Sequence, residues 1–276
     1  MKKLMFTAAV ALCAAVGYSE IESANTVGYT ASSNPAIKSY VMVANSFQDV
    51  GETSLDINKI ATTATPATYK TRVASAPLLK IWNPVSGTYT TYYYIDDCED
   101  PEDDENEITA WATGTGEYPE AISLPLGAAM WYICQTEADK SVTFSGEISS
   151  DDDVTLSATT AGYTMFANPF PVATDINSII WKASDGTTAL EPATYKTRTT
   201  AAPQIKVWNP ATGIYTTFYY IDDCEDPEDD ENEITAWSTG TGEYPTTTIP
   251  AGQGFWLILP SAYTGAKATF TSPLAN

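Results

Sequence analysis

"KIWNPVSGTYTTYYY" runs from Lys80 to Tyr94, two apolar, β-rich stretches separated by Asn-Pro-Val-Ser-Gly. Pro84 presets φ at the first corner, and Gly87 tolerates the left-handed closing position. The two stretches therefore fold back as an antiparallel hairpin. The returning stretch places Tyr89, Thr91, Tyr93 and Ile95 on one face and Thr90, Tyr92 and Tyr94 on the other. Both faces are aromatic or β-branched, as suits a strand packed on one side and covered by phenol rings on the other.

The device returns as "KVWNPATGIYTTFYY" at Lys206–Tyr220. Residues 66–119 align with 192–245 at a constant offset of 126, without a gap and with 43 of 54 positions identical. "PATYKTR" at Pro66–Arg72 recurs at Pro192–Arg198; "YVMVANSF" answers "YTMFANPF", and "LPLGAAMWYI" answers "IPAGQGFWLI". The chain reads as a tandem duplication of a unit of common domain size. The boundary falls near Ser149–Val154, giving a first domain over 27–148 and a second over 153–276. In the first unit, strands are expected near Tyr40–Ser46, Leu78–Trp82, Thr88–Ile95, Ile122–Leu124, Ala129–Gln135 and Val142–Ser145. "SLDINKI" and "TDINSII" each suit one short helix, with Asp56 or Asp175 near its start. The fold class is all-β: two tandem antiparallel β-sandwich or barrel-like domains.

At the N-terminus, Lys2 and Lys3 precede the uncharged apolar run Leu4–Val16, and small residues follow around Gly17 and Ser19. This is the build of a secretory signal peptide over 1–19, removed together with Cys13. No later stretch reads as a membrane span. Export to the periplasm, cell surface or exterior is the expectation.

The 276 residues carry a formal charge of −22 and no histidine. The charge argues against nucleic acid, whose phosphates need clustered Lys and Arg. The missing histidine excludes Ser–His–Asp and Cys–His nucleophile pairs and any His-ligated metal. The charge is also concentrated. "YYIDDCEDPEDDENEITAW" occurs letter for letter at Tyr93–Trp111 and Tyr219–Trp237, and its two copies hold eighteen of the 35 acidic residues.

Pro101 blocks a regular helix there, and adjacent carboxylates resist burial, so an exposed loop tied at both ends is expected. Three readings compete for it. Calcium takes six to eight oxygen ligands and would relieve the repulsion. Its candidate ligands are Asp96, Asp97, Asp100, Asp103 and Asp104, with Asp222, Asp223, Asp226, Asp229 and Asp230 in the second copy. The EF-hand pattern fails, because Glu105 stands where glycine is required. The second reading is a solvated charge run that keeps a β-rich surface soluble and guards an edge. The third is a docking surface for a basic or polymeric partner, such as an extracellular polymer or surface protein, presented twice.

Cys98 and Cys224 lie inside these stretches, and Cys134 reads as a core residue. A Cys98–Cys224 disulfide would bring two acidic loops together, so free thiols or an intermolecular bond are favoured. Of the seven tryptophans, Trp82, Trp131, Trp208 and Trp256 read as core residues in strands. Trp111 and Trp237, beside the acidic stretches, are expected as exposed rings on which a carbohydrate could stack. Catalysis is not expected. Paired carboxylates can hydrolyse glycosides, but this cluster singles out no acid and nucleophile. "TGTGEY" lacks the lysine of a phosphate loop, and Lys70 and Arg72 suit ion pairs at a strand edge.

"ESANTVGYT", "VMVANSF", the Lys80–Tyr94 hairpin and "LPLGAAMWYI" together resemble a family of uncharacterised exported proteins of Verrucomicrobia- and Lentisphaerae-type bacteria. The resemblance implies export and a β-rich fold, and assigns no activity to any residue.

The sequence thus predicts a non-catalytic exported interaction or structural protein with calcium as the candidate ion. A secreted carbohydrate-binding module, or a glycoside hydrolase, is the alternative.

Overall fold

The computed structural model describes residues 26–99, 107–116, 118, 122–225 and 233–273. The fold is all-β and antiparallel. In the first half the strands are β1 (Val27–Ser33), β2 (Tyr40–Ala44), β3 (Ser54–Asp56), β4 (Ala61–Thr62) and β5 (Leu78–Asn83). They continue with β6 (Thr88–Glu99), β7 (Glu107–Ala112), β8 (Ser123–Pro125), β9 (Ala129–Ile133) and β10 (Ser141–Glu147). The second half holds β11 (Asp153–Ser157), β12 (Gly162–Ala167), β13 (Thr174–Asp175), β14 (Ile180–Lys182) and β15 (Gln204–Asn209). Its remaining strands are β16 (Ile214–Glu225), β17 (Glu233–Ser238), β18 (Thr248–Ile249), β19 (Gly254–Leu259) and β20 (Lys267–Thr271).

Each half builds a five-stranded sheet, in order β2-β9-β5-β6-β7 or β12-β19-β15-β16-β17. A three-stranded sheet, β1-β10-β4 or β11-β20-β14, packs on one face of it. Val41, Val43, Leu79, Met130 and Tyr132 meet Val142 and Phe144 in the first sandwich. Phe166, Ile205, Phe255 and Leu257 meet Ala268 and Phe270 in the second. Strand alternation then turns the intervening residues outward.

Those outward residues are not left to water. Met42, Ala44, Leu78, Ala129, Trp131 and Ile133 of the first half form one buried cluster with Met165, Ala167 and Trp256 of the second. β9 is consequently buried at all five positions. The two five-stranded sheets therefore pack face to face, each sandwich supplying one wall of a shared apolar layer. Contacts across it join β2, β9 and β5 to β12, β19 and β15. The long hairpins β6–β7 and β16–β17 extend beyond the layer at opposite edges.

The Asn-Pro-x-x-Gly hairpin forms as its residues dictate. Gly87 has φ +65° and its N–H donates to the Asn83 carbonyl at 2.9 Å, while Asn83 Oδ1 accepts from the N–H groups of Val85 and Ser86. The expected short helices are single 3-10 turns, Ile57–Lys59 and Ile176–Ser178, capped by Asp56 and Asp175 through the N–H groups of Asn58 and Asn177. The strands expected from the sequence did not include β1, in which the apolar Val27 and Tyr29 are exposed and Thr30 is the buried position. Among the described residues no helix is long and apolar enough to cross a membrane.

Candidate functional site

The base of each acidic stretch is strand rather than loop. β6 continues through Asp96, Asp97 and Cys98 to Glu99, and pairs with β7 up to Glu99–Glu107. A bulge between Ile95 and Cys98, repeated between Ile221 and Cys224, inserts an extra residue and re-aims the side chains there. Asp96 and Asp222 come out exposed, whereas Asp97 and Asp223 turn inward and are half-buried.

Asp97 is already occupied. Its Oδ1 accepts from the backbone N–H of Tyr69 at 2.5 Å, and Asp223 accepts from Tyr195 in the same way. Just before that link, Ala67 forms a parallel bridge with Ile95: Ala67 N–H donates to the Tyr94 carbonyl, and Asp96 N–H donates to the Ala67 carbonyl, both at 3.1 Å. Ala193 and Ile221 repeat it. "PATYKTR" is thus the strap that ties the hairpin base to the body, and Asp97 is its charged staple. A carboxylate accepting from a backbone amide is a strong, oriented hydrogen bond.

Arg72 completes the strap, and among the described residues it does so without the ion pair that its position at a strand edge suggested. Its guanidinium lies 3.8 Å from the Tyr69 ring centroid, donates to the Tyr69 carbonyl at 2.6 Å and donates to the Gly114 carbonyl. Arg198 does the same with Tyr195 and Gly240. "TGTGEY" then has a packing role. A side chain on Gly116, at φ +83°, would strike the Tyr69 ring at 2.5 Å.

Asp100, Asp103, Asp104, Asp226, Asp229 and Asp230 lie outside the described residues. Of the ten predicted ligands the structure places four: two exposed, two committed to straps. Among the described residues no three Cys, Asp or Glu side chains converge in a metal-holding group.

The three described cysteines are buried, free thiols. Cys98 packs with Ala67, Ile95 and Ala110, and Cys224 with Ala193, Ile221 and Ala236, in separate clusters at the two hairpin bases. No disulfide joins them. Burial pushes the Cys98 thiol up to about 11, and it raises Cys224 as well.

The expectation that Trp111 and Trp237 are exposed is overturned. Both are 1% exposed, inside the two sandwich cores. Trp111 lies on the body side of the bulge, in regular register opposite Tyr94, on the face that β6 turns to the core. Its Nε1 donates to the Ile60 carbonyl at 2.9 Å. Neither ring can stack on a sugar.

Other rings are open to solvent. Trp131 and Trp256 are buried as expected, but Trp82 and Trp208 are half-buried at the margins of the shared layer. Tyr89 (39% exposed) and Tyr163 (53%) flank Trp82 and Trp256 at one margin; Tyr215 and Tyr40 flank Trp208 and Trp131 at the other. The hairpin register sets Trp82 opposite Tyr89; nothing in the sequence revealed that the other half of the chain covers only part of that face.

Comparison with protein-family models, curated proteins and solved structures gives no match.

Proposed function

We propose that the protein is an exported, non-catalytic interaction or structural module whose contact elements are the two acidic hairpins, with calcium as the ion they gather. One observation carries this reading. The shared layer makes a single body of the two halves, and the same twelve-residue strand leads an identical acidic stretch away from it at opposite edges. The straps anchored by Asp97 and Asp223 hold each hairpin base fixed, so each acidic stretch starts from an anchored strand. A bivalent display of this kind gains avidity for a repetitive partner without additional contacts. The leader at 1–19 and the resemblance to exported proteins support export.

The test replaces residues 100–106 and 226–232 by Asn-Gly turns, singly and together. Calcium should raise the melting temperature of the parent chain, raise it less with one tip left, and leave the double variant unmoved. A calcium response that survives in the double variant defeats the reading.

The exposed rings favour one second reading. Tyr89 and Tyr163, or Tyr215 and Tyr40, offer paired aromatic ledges of the kind that stack on sugars. Retention on an insoluble polysaccharide, lost in Tyr89→Ala combined with Tyr215→Ala, would support carbohydrate binding.

A further inference from the structure

The shared layer is not the same at its two ends. At one end it is closed. The Gly252 carbonyl accepts from Ala44 N–H at 3.0 Å, Gln253 forms an antiparallel bridge with Val43, and Gln253 Nε2 donates to the Trp208 carbonyl at 2.8 Å. Aligning "LPLGAAMW" with "IPAGQGFW" puts Ala128 in the place of Gln253. A methyl group cannot reach toward Trp82 as the glutamine amide reaches Trp208. At that end a cavity of about 490 Å³ stays open between the halves, bordered by both Trp82 and Ala128.

Its walls are Ile81, Tyr92 and Leu124 of the first half and Leu156, Met165 and Phe166 of the second. In a chain of charge −22, no charged side chain among the described residues lines it. Exposed Thr90 and Ser157 stand at the rim. The volume lies within the range of small-molecule sites, which favour junctions between packed units and combine apolar walls with a few polar groups.

We infer that this cavity is a binding site for an uncharged, largely apolar small molecule whose single hydrogen-bonding group meets the exposed Thr90 and Ser157 at the rim. The lining sets the class. An ion would lose its hydration with no opposite charge to meet it, and a sugar would leave most of its hydroxyls against aliphatic walls. The inference is independent of the acidic hairpins and of the tyrosine ledges.

The probe is N-phenyl-1-naphthylamine, a neutral fluorophore with a single N–H, titrated into the intact chain. Saturable enhancement with one probe per chain is expected, with energy transfer from tryptophan. Its sulfonated anionic analogue should bind at least about tenfold more weakly, because an unpaired charge resists burial. Ala128→Gln, which copies the closed end, should abolish binding without lowering the melting temperature. Thr90→Trp, at an exposed position, obstructs the mouth independently and should also weaken it. Non-saturable enhancement, or an affinity unchanged by Ala128→Gln and Thr90→Trp alike, would overturn the assignment.

Discussion

The indole of Trp82 donates to the backbone carbonyl of Tyr163 at 2.8 Å, reaching from one half of the chain into the other. Trp208 returns the bond to Tyr40 at 2.6 Å. Around these reciprocal bonds the indoles interlock edge to face, Trp82 on Trp256 at 5.5 Å and Trp131 on Trp208 at 5.7 Å. Such pairs contribute beyond the area they bury.

The halves should therefore unfold together. Scanning calorimetry should record one cooperative transition. Trp131→Ala should lower stability by about 3–5 kcal/mol, the usual cost of truncating a buried large side chain. Two separated transitions in the parent protein would show that the shared layer does not couple the sandwiches.

Trp111 and Trp237 should behave as core residues. Trp111→Ala and Trp237→Ala should each cost about 3–5 kcal/mol. The phenylalanine variants should differ. Trp111→Phe strands the buried Ile60 carbonyl, whereas Trp237 Nε1 has no partner to lose among the described residues. Denaturant melts should place Trp111→Phe about 1 kcal/mol below Trp237→Phe.

Removing the staple should loosen the hairpin base. Asp97→Ala is expected to cost about 1–2 kcal/mol, as the loss of a charge-assisted hydrogen bond does. It should also speed hydrogen exchange at the Tyr69 amide. The calcium heat should be retained, because Asp97 is committed to the strap. Loss of that heat with the strap intact would return Asp97 to the ligand set.

The thiols give a pH signature. The folded protein holds the Cys98 proton up to about 11, against an ordinary value of 9.0. Between these values the unfolded chain ionises first, so fewer protons are bound unfolded than folded and stability falls as pH rises. Burial pushes Tyr132 up to about 12 and extends the decline. Cys98→Ala should flatten the part between pH 9 and 11. At neutral pH a thiol reagent should label none of the three cysteines until the protein is unfolded.

The sequence disclosed the β architecture because the Asn-Pro-x-x-Gly turn and period-2 strands are local signals. Its failures concern what is not local. Trp111 was misplaced because its neighbours along the chain are acidic, whereas its partner across the ladder is Tyr94 on the core face; Cys98 is buried because a one-residue bulge returns it to the side of Ile95. Asp97 looked like one more carboxylate in a run; only the return of Tyr69 to that strand gives it a fixed partner. β9 and its counterpart β19, with Phe255–Leu259, carried a legible hint of the shared layer. Ala129–Ile133 is apolar at every position, which a strand buried on a single face does not require. Ala128 against Gln253 was visible as a difference between the copies, but without the fold it had no meaning.

The central claim is that the acidic hairpins are ion-gathering tips on one rigid body. Isothermal titration of the metal-stripped protein with calcium, alongside magnesium, tests it directly. Saturable calcium binding of two equivalents or more per chain, beyond anything magnesium produces and accompanied by a higher melting temperature, is the predicted result. Calcium heat no larger than that of magnesium, with an unmoved melting curve, would contradict it and leave the hairpins as solvated charge.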